Sequence, residues 1–404
     1  MNSPIEGAKI LLAVSGSIAA YKAVDLASKL AQAGALVDAV LTQSATEFVS
    51  PLSFQSVTGR RAYVDADLWG LEGHIQHIGL AREADLLVIA PATANTMAKL
   101  AHGIADNLLT VTALAIHCPM LIAPAMDGGM FQHPATQANL EILRQRDVAI
   151  IGPAQGHLAS GLVGTGRMVE PAELLGHTRL MLGTRGPLKG RKVVVTAGGT
   201  EEPIDPVRFI ANRSSGKQGF ALAQAALDLG AEVILIAAPT PLVTPIGARR
   251  VDVSSAVEMK EAVLDEASQT DILLMAAAVA DFRPAGPADQ KIKRKQGIPE
   301  IKLEQTPDIL GEVAKLRDKG EFSGIVVGFA AESQDLLKNA SEKLETKKLD
   351  LIAANDITAK DAGFAVDTNR VTLIDAEGGH ETLPLMTKAE VAQQVLDRVV
   401  NILR

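Results

Sequence analysis

"AKILLAVSGSIAAYKAVDLASKLAQAGALVDAVLT", residues 8–42, decides the fold. Residues 8–14 form an unbroken apolar run, which suits a strand buried on both faces of a parallel sheet. A glycine turn follows in "SGSIAAYK", "AVDLASKLAQAG" has apolar residues at helical spacing up to Gly34, and "ALVDAVLT" is a second strand. The same plan returns in "RKVVVTA" (191–197), in a helix from "SSGKQGFALAQAALDLG" ending at Gly230, and in "AEVILIAA", with a longer first loop. Alternation continues through "ADLLVIAP" and "PMLIAPAM", then through "TDILLMAAAVADF", "GIVVGFA" and "LDLIAAND". The expectation is an α/β protein of two doubly wound parallel-sheet domains. "PAELLGHTRLMLGTRGPLKG" (171–190) marks the junction, and "KAEVAQQVLDRVVNIL" closes the chain as an amphipathic helix.

The chain has 404 residues, which calls for two cores of roughly 150–200 residues each. Its net charge of −8 argues against a nucleic-acid partner, so any basic cluster should serve a small anion. One cysteine, Cys118, excludes an internal disulfide and a cysteine zinc site and fits a reducing compartment. The opening apolar run is short for a signal peptide and no stretch of about 18 apolar residues occurs, so the expected location is cytoplasmic.

In a parallel sheet, ligands gather at the carboxyl ends of the strands. In the first half those ends carry Gly16 and Ser17, then Ser44, then Thr93, Asn95 and Thr96. Hydroxyls and amides with little charge suit one phosphate and a polar ring system, as in flavin mononucleotide (FMN). Taken singly, each loop is more simply a helix cap. The ordered set "GSIAAYK", "GHIQHIGLAREADLLVIAPATANT", "GIADNLL", "APAMDGGMF" and "GHLASGLVGTGRM" resembles the flavin-dependent cysteine decarboxylases, in particular the phosphopantothenoylcysteine decarboxylase half of bifunctional coenzyme A enzymes. The resemblance implies a flavodoxin-like flavoprotein domain with FMN in these loops. It also implies oxidation of a cysteinyl unit to a thioaldehyde, loss of carbon dioxide, and reduction of the resulting enethiol. His77 in "HIGLAREAD" takes the place of the catalytic histidine, an imidazole that exchanges protons near neutral pH. Two positions depart from the family. Asp127 stands in "PAMDGGM" where an asparagine meets the substrate carboxylate, and Ser160 stands in "ASGLVGTGR" where a cysteine donates the final proton. A hydroxyl is a far weaker acid than a thiol. Cys118, bordering an apolar strand, is expected to be a structural thiol rather than its substitute.

In the second half, "ANRSSGKQGFALA" (211–223) looks like a phosphate loop but lacks the spacing of a Walker motif. "TAGGT" is not a dinucleotide fingerprint either. "KIKRK" places Lys291, Lys293, Arg294 and Lys295 beyond a buried strand; a solvated basic loop and an anion site both fit it. With "TAGGTEEPIDPVRFIANRSSGKQGFALA", "AAAVADFRP", "TPDIL", "VGFAAES" and "LDLIAANDI", the segment resembles phosphopantothenate-cysteine ligase from about residue 190 onward. That family activates a carboxylate with CTP as an acyl-cytidylate. The resemblance makes Lys291 the catalytic lysine and Asn212 the group that positions the acyl-cytidylate. Asp281, Pro307, Asp308, Ile309, Leu310, Phe329, Lys343 and Lys347 are its nucleotide contacts. Triphosphate chemistry implies magnesium, with no ligand cluster legible. The expected domains are a decarboxylase over 1–175, a linker over 176–190 and a Rossmann-like ligase over 191–404. Trimers of the first and dimers of the second are implied by family. Three readings compete: a bifunctional enzyme, an active ligase with a slow or altered flavoprotein half, and a flavin-binding assembly module joined to the ligase.

Overall fold

The continuous apolar runs become the central strands of two parallel sheets. The computed structural model describes residues 3–69, 73–158, 161, 163–296, 299–332, 335–356 and 367–404. They divide into two compact units that meet in sequence between Gly183 and Thr184.

In the first unit, strands run side by side as Ala62–Val64, Leu36–Leu41, Lys9–Val14, Leu86–Ala92, Met120–Pro124 and Ala149–Ile150, all parallel. In chain order this is 3-2-1-4-5-6. The doubly wound class is the expected one; within it, the strand order is that of dinucleotide folds rather than the flavodoxin order 2-1-3-4-5. Helix Ala20–Gln32 turns Ala23, Leu26, Ala27 and Leu30 onto the sheet and stops where Gly34 takes a φ of 92°. Each buried leucine contributes about 1.5–3 kcal/mol over its exposed state. Helices cover both faces: Ala20–Gln32 and Pro51–Thr58 on one, Ala94–His102, Leu108–Ala115 and Pro134–Arg144 on the other.

Residues Pro171–Gly183 form a helix whose Leu174 is buried in the first core and which packs on Ala20–Gln32. Much of the expected linker is therefore helical. Leu188 is already fully buried in the second unit, its N–H donating to the Leu229 carbonyl at 2.8 Å.

The second sheet repeats the order. Arg249–Asp252, Glu232–Ala237, Lys192–Ala197, Ile272–Met275, Ile325–Glu332 and Leu351–Asp356 are parallel, and Val371–Asp375 and His380–Thr382 add an antiparallel edge. Helices Ala256–Ala267, Ile309–Asp318 and Leu336–Thr346 share one core on one face. Helices Lys217–Asp228 and Lys388–Ile402 pack together on the other. The apolar run at 270–282 is a strand only to Met275. Beyond it the backbone leaves the sheet: the N–H groups of Ala277, Ala278 and Ala280 go to Thr196 Oγ1, the Gly198 carbonyl and Thr200 Oγ1. Among the described residues, no helix is long and apolar enough to cross a membrane.

Candidate active sites

In the first unit the strand ends converge as expected. A Cβ on Gly16 would lie 2.9 Å from the Ser44 carbonyl carbon, so only glycine lets this turn close onto the next strand end. Thr93 caps helix Ala94–His102, accepting from Thr96 N at 3.3 Å and bonding Thr96 Oγ1 at 3.1 Å. Ser15, not singled out from sequence, ties the two loops together: its hydroxyl donates to the Pro91 carbonyl at 2.7 Å and accepts from Thr93 N at 3.0 Å. The available signal was its place between the strand and Gly16. Asn95 is exposed on the first turn of its helix. Asp65 accepts from Gln43 N and Leu108 N, joining the Ser44 loop to helix Leu108–Ala115.

From Ser17 a cleft of about 350 Å³ opens, lined by Ile18, Tyr21, Asp127, His157 and Arg167 among others. Asp127 caps the short helix Gly128–Gln132, accepting from Gly129 N at 2.9 Å. The hairpin of Ala154–His157 and Val163–Arg167 lies against it, with Met126 N donating to the Gly166 carbonyl at 3.0 Å. Ser160 lies outside the described residues. Lys22 is buried under the cleft and donates to the Met168 carbonyl at 3.0 Å and to Glu170 at 2.9 Å. That bond, which outweighs a smaller opposing effect of burial, holds the Glu170 carboxyl below its ordinary range, with Arg167 assisting. His77 sits on helix Gly73–Glu83, half-buried, with Nδ1 buried and no partner among the described residues. It is not among the residues lining the Asp127 cleft. Cys118 packs against the core, where burial raises its thiol pKa, as a structural thiol requires.

The second unit holds a larger cavity of about 820 Å³ at the carboxyl edge of its sheet. It is lined by Asn212, Asp281, Pro307, Asp308, Ile309, Leu310, Phe329, Lys343 and Lys347, which is the expected second-half set apart from Lys291. Asn212 Nδ2 donates to the Val279 carbonyl at 2.9 Å, which fixes its amide orientation. Asp308 caps helix Ile309–Asp318 through Gly311 N at 3.0 Å and pairs with Lys347. Burial works to raise the Asp308 carboxyl, but Lys347 and the Gly311 N–H outweigh it and hold it below its ordinary range. Lys343 Nζ donates to the Phe329 carbonyl at 3.1 Å. Helix Lys217–Asp228 opens on Gly216, left-handed at φ 76°, with no side-chain cap among the described residues, and Gly216, Lys217, Gln218 and Gly219 line the cavity.

Lys291 stands elsewhere. It is exposed on a loop pinned at Ile292, whose N–H donates to Asp205 at 3.1 Å and whose carbonyl accepts from Arg208 at 3.1 Å. Local charge density was legible, but the hairpin that anchors the loop lies some 85 residues earlier in the chain, with separations of 87 and 84 for these two bonds. Conversely Asn355, Asn369 and Lys388 line the cavity and were not singled out, and Lys217, from the stretch that looks like a phosphate loop, lines it too. Among the described residues no cluster of three His, Cys, Asp or Glu could hold a metal ion.

These two sites define a two-unit α/β enzyme, one unit with hydroxyl-bearing strand ends and the other with a cavity lined by several lysines. The family described as "Flavoprotein" matches residues 1–181, and "DNA/pantothenate metabolism flavoprotein C-terminal domain" matches 188–403. The chain is 47% identical over 393 residues to the coenzyme A biosynthesis bifunctional protein CoaBC of Bacillus subtilis (strain 168), covering 96% of each chain. It belongs to this family of bifunctional coenzyme A biosynthesis proteins. A cysteine/cysteine sulfinic acid decarboxylase from an unknown prokaryotic organism is 47% identical over 331 residues, 81% of this chain and 91% of that one. The crystal structure of the C-terminal domain of a CoaBC protein is 39% identical and covers 54% of this chain and 98% of its own, with a TM-score of 0.46.

Proposed function

We propose that the second unit joins 4'-phosphopantothenate to L-cysteine with CTP, and that the first decarboxylates the phosphopantothenoylcysteine to 4'-phosphopantetheine. Membership of the bifunctional family supports both activities. The observation that carries the finer reading is the single cavity that gathers Asn212, Asp281, Pro307 to Leu310, Phe329, Lys343 and Lys347. In the ligation, a carboxylate oxygen attacks the α-phosphorus of CTP and pyrophosphate leaves; the cysteine amine then displaces CMP from the acyl carbon. Lys343 and Lys347 neutralise phosphate charge, and Asn212 holds the acyl-cytidylate through its amide. Magnesium would accompany the triphosphate, held chiefly by phosphate oxygens. Lys291 acts, on this reading, from its exposed loop after that loop moves toward the cavity. The full chain given all three substrates should release CMP, pyrophosphate and carbon dioxide; release of none of them would sink the proposal.

In the first unit, the glycine turn at Gly16 and the hydroxyls of Ser15, Ser17, Ser44, Thr93 and Thr96 fit an FMN phosphate and ring edge. FMN bound there supplies a two-electron acceptor and donor for the cysteinyl unit. Gly16→Ala should lower the flavin absorbance per chain to about a tenth, because the added methyl enters the Ser44 backbone. A full flavin complement in that variant would place the cofactor elsewhere. His77 exchanges the substrate proton, and a trimer with sites between copies, as the family implies, would bring one copy's His77 to another's cleft. A cytoplasmic location fits the lone cysteine.

One observation favours the slower second reading. The Asp127 carboxylate accepts a backbone N–H as a helix cap, and a carboxylate at this place in the cleft repels a substrate carboxylate. Asp127→Asn, which keeps the cap, should lower the KM for phosphopantothenoylcysteine about tenfold in carbon dioxide release assays. An unchanged KM would remove Asp127 from substrate binding.

A further inference from the structure

The hairpin of Glu201–Asp205 and Arg208–Ala211 is fixed at its base. Glu201 N donates to the Ser254 carbonyl at 2.8 Å, and the Glu202 carboxylate, 1% exposed, accepts from Ala256 N at 2.9 Å. That bond satisfies the first N–H of helix Ala256–Ala267. The second strand runs directly into Asn212, a cavity residue whose amide is tied to the Val279 carbonyl. The hairpin is thus a bracket set in fixed relation to one wall of the cavity.

At its turn stands Asp205, whose side chain is fully buried. The two carboxylate oxygens have separate duties. Oδ1 accepts from Val207 N at 2.8 Å and from Arg208 N at 2.9 Å, which closes the turn. Oδ2 serves a segment 87 residues later, accepting from Ile292 N at 3.1 Å. Arg208 Nη1 lies 3.6 Å from that same oxygen, and Nη2 donates to the Ile292 carbonyl at 3.1 Å. Burial works to raise the Asp205 pKa, but the three N–H donors and Arg208 outweigh it and hold the carboxyl below its ordinary range. The turn needs only one oxygen, which an asparagine would supply without a buried charge; the second oxygen serves the loop.

The peptide groups on both sides of Ile292 are therefore held, and Lys291 is the residue just before it. The loop is tied at two further points: Ala288 N donates to the Ile204 carbonyl and Ala285 N to the Lys302 carbonyl, each at 2.9 Å. A loop that slid as a whole would break these bonds. Rotation at Lys291 keeps them and redirects only its ammonium group.

We propose that Asp205 is a positioning residue for the ligation: through Oδ2 it holds Ile292 as the pivot at which Lys291 turns toward the cavity. One oxygen builds the bracket and the other sets the loop upon it, so the pivot keeps its place relative to Asn212. This assignment rests on the role given to Lys291 above.

Asp205→Asn separates the two duties. Keeping the amide oxygen in the turn satisfies two N–H groups, which leaves Nδ2 against the Ile292 N–H, donor to donor. Ligation kcat should fall about 10- to 100-fold, with the KM values for CTP and phosphopantothenate within about threefold of wild type. Trypsin should cut the native variant between Lys291 and Lys295 about tenfold faster, as a released loop opens more often. In a Lys291→Gln background the same change should lower kcat by less than about twofold, because Asp205 acts through Lys291. A merely structural role would cost as much there as in the wild-type background; that result overturns the assignment, as does a wild-type kcat in folded Asp205→Asn. Ile292→Pro removes the donor of the same bond and is measured in the same way if Asp205→Asn does not fold. A Lys291→Gln chain that ligates at the wild-type rate overturns the role of Lys291 itself, and this assignment with it.

Discussion

His77→Asn should lower carbon dioxide release from phosphopantothenoylcysteine by about 10²–10⁴-fold while CMP release by the same chain stays at the wild-type rate. Most histidines on a helix have both ring nitrogens satisfied or in water. His77 has Nδ1 buried and unpartnered among the described residues, so no neighbour among them fixes its tautomer through that atom. Such a ring is poorly explained as a structural cap, and the proposed function gives it the substrate proton instead. Asparagine keeps a polar amide of similar reach but cannot take up a proton near neutral pH. Flavin content and the unfolding midpoint, measured on the same sample, separate chemistry from folding. A loss of less than about threefold with flavin retained would take His77 out of the reaction.

Asn212→Asp should be the most damaging single-atom exchange in the second unit, with ligation down about 10²–10³-fold. Three effects add. The Nδ2 donor to the Val279 carbonyl is replaced by an oxygen, turning a 2.9 Å hydrogen bond into a repulsion. The Asn212 backbone is held against the glycine turn, where a Cβ on Gly199 would lie 2.8 Å from the Asn212 carbonyl oxygen, so the segment has little room to withdraw. A negative charge also enters a cavity that must bring a carboxylate and a triphosphate together. Stopped reactions with CTP and phosphopantothenate, without cysteine, should show less pyrophosphate burst, while carbon dioxide release from supplied phosphopantothenoylcysteine stays unchanged. Equal loss of both activities would mean that the variant acts on folding.

What was legible in the sequence follows from how far apart the interacting parts lie. Strands such as Lys192–Ala197 and Ile325–Glu332, sandwiched between helix layers, show themselves as uninterrupted apolar runs. Helix ends at Gly34 and Gly230 show themselves because the backbone there is left-handed. Strand order does not, since local periodicity carries no record of which strand neighbours which. Gly16, in a turn after the first strand, was read by the same local logic, whereas Asn212 was named only by the family resemblance. Lys388 and Asn369 were not found, for the helix start at Lys217 and Gln218 that meets their segment is far off in sequence, with separations of 150 for Lys217–Asp367 and 170 for Gln218–Lys388. Each looks in isolation like an ordinary helix start or turn. Lys291 is the converse case: a dense local charge signal marked its loop, but the bonds to Asp205 and from Arg208 that anchor that loop at Ile292 are far off in sequence, and Lys291 is not among the residues lining the cavity.

The close seating of helix Lys217–Asp228 on its sheet divides the second cavity into a wall that cannot be remodelled and one that can. A side chain at Gly219 would come within 2.5 Å of Ala197 Cβ and 2.8 Å of the Thr196 carbonyl, so the distance from sheet edge to helix start is a fixed ruler. Facing it, the hairpin of Phe282–Pro284 and Leu303–Gln305 is largely exposed and touches the cavity through Phe282 and Gln305. Homologues or engineered variants that accept longer or bulkier acids should therefore differ at the hairpin, while the glycine side keeps its length and backbone.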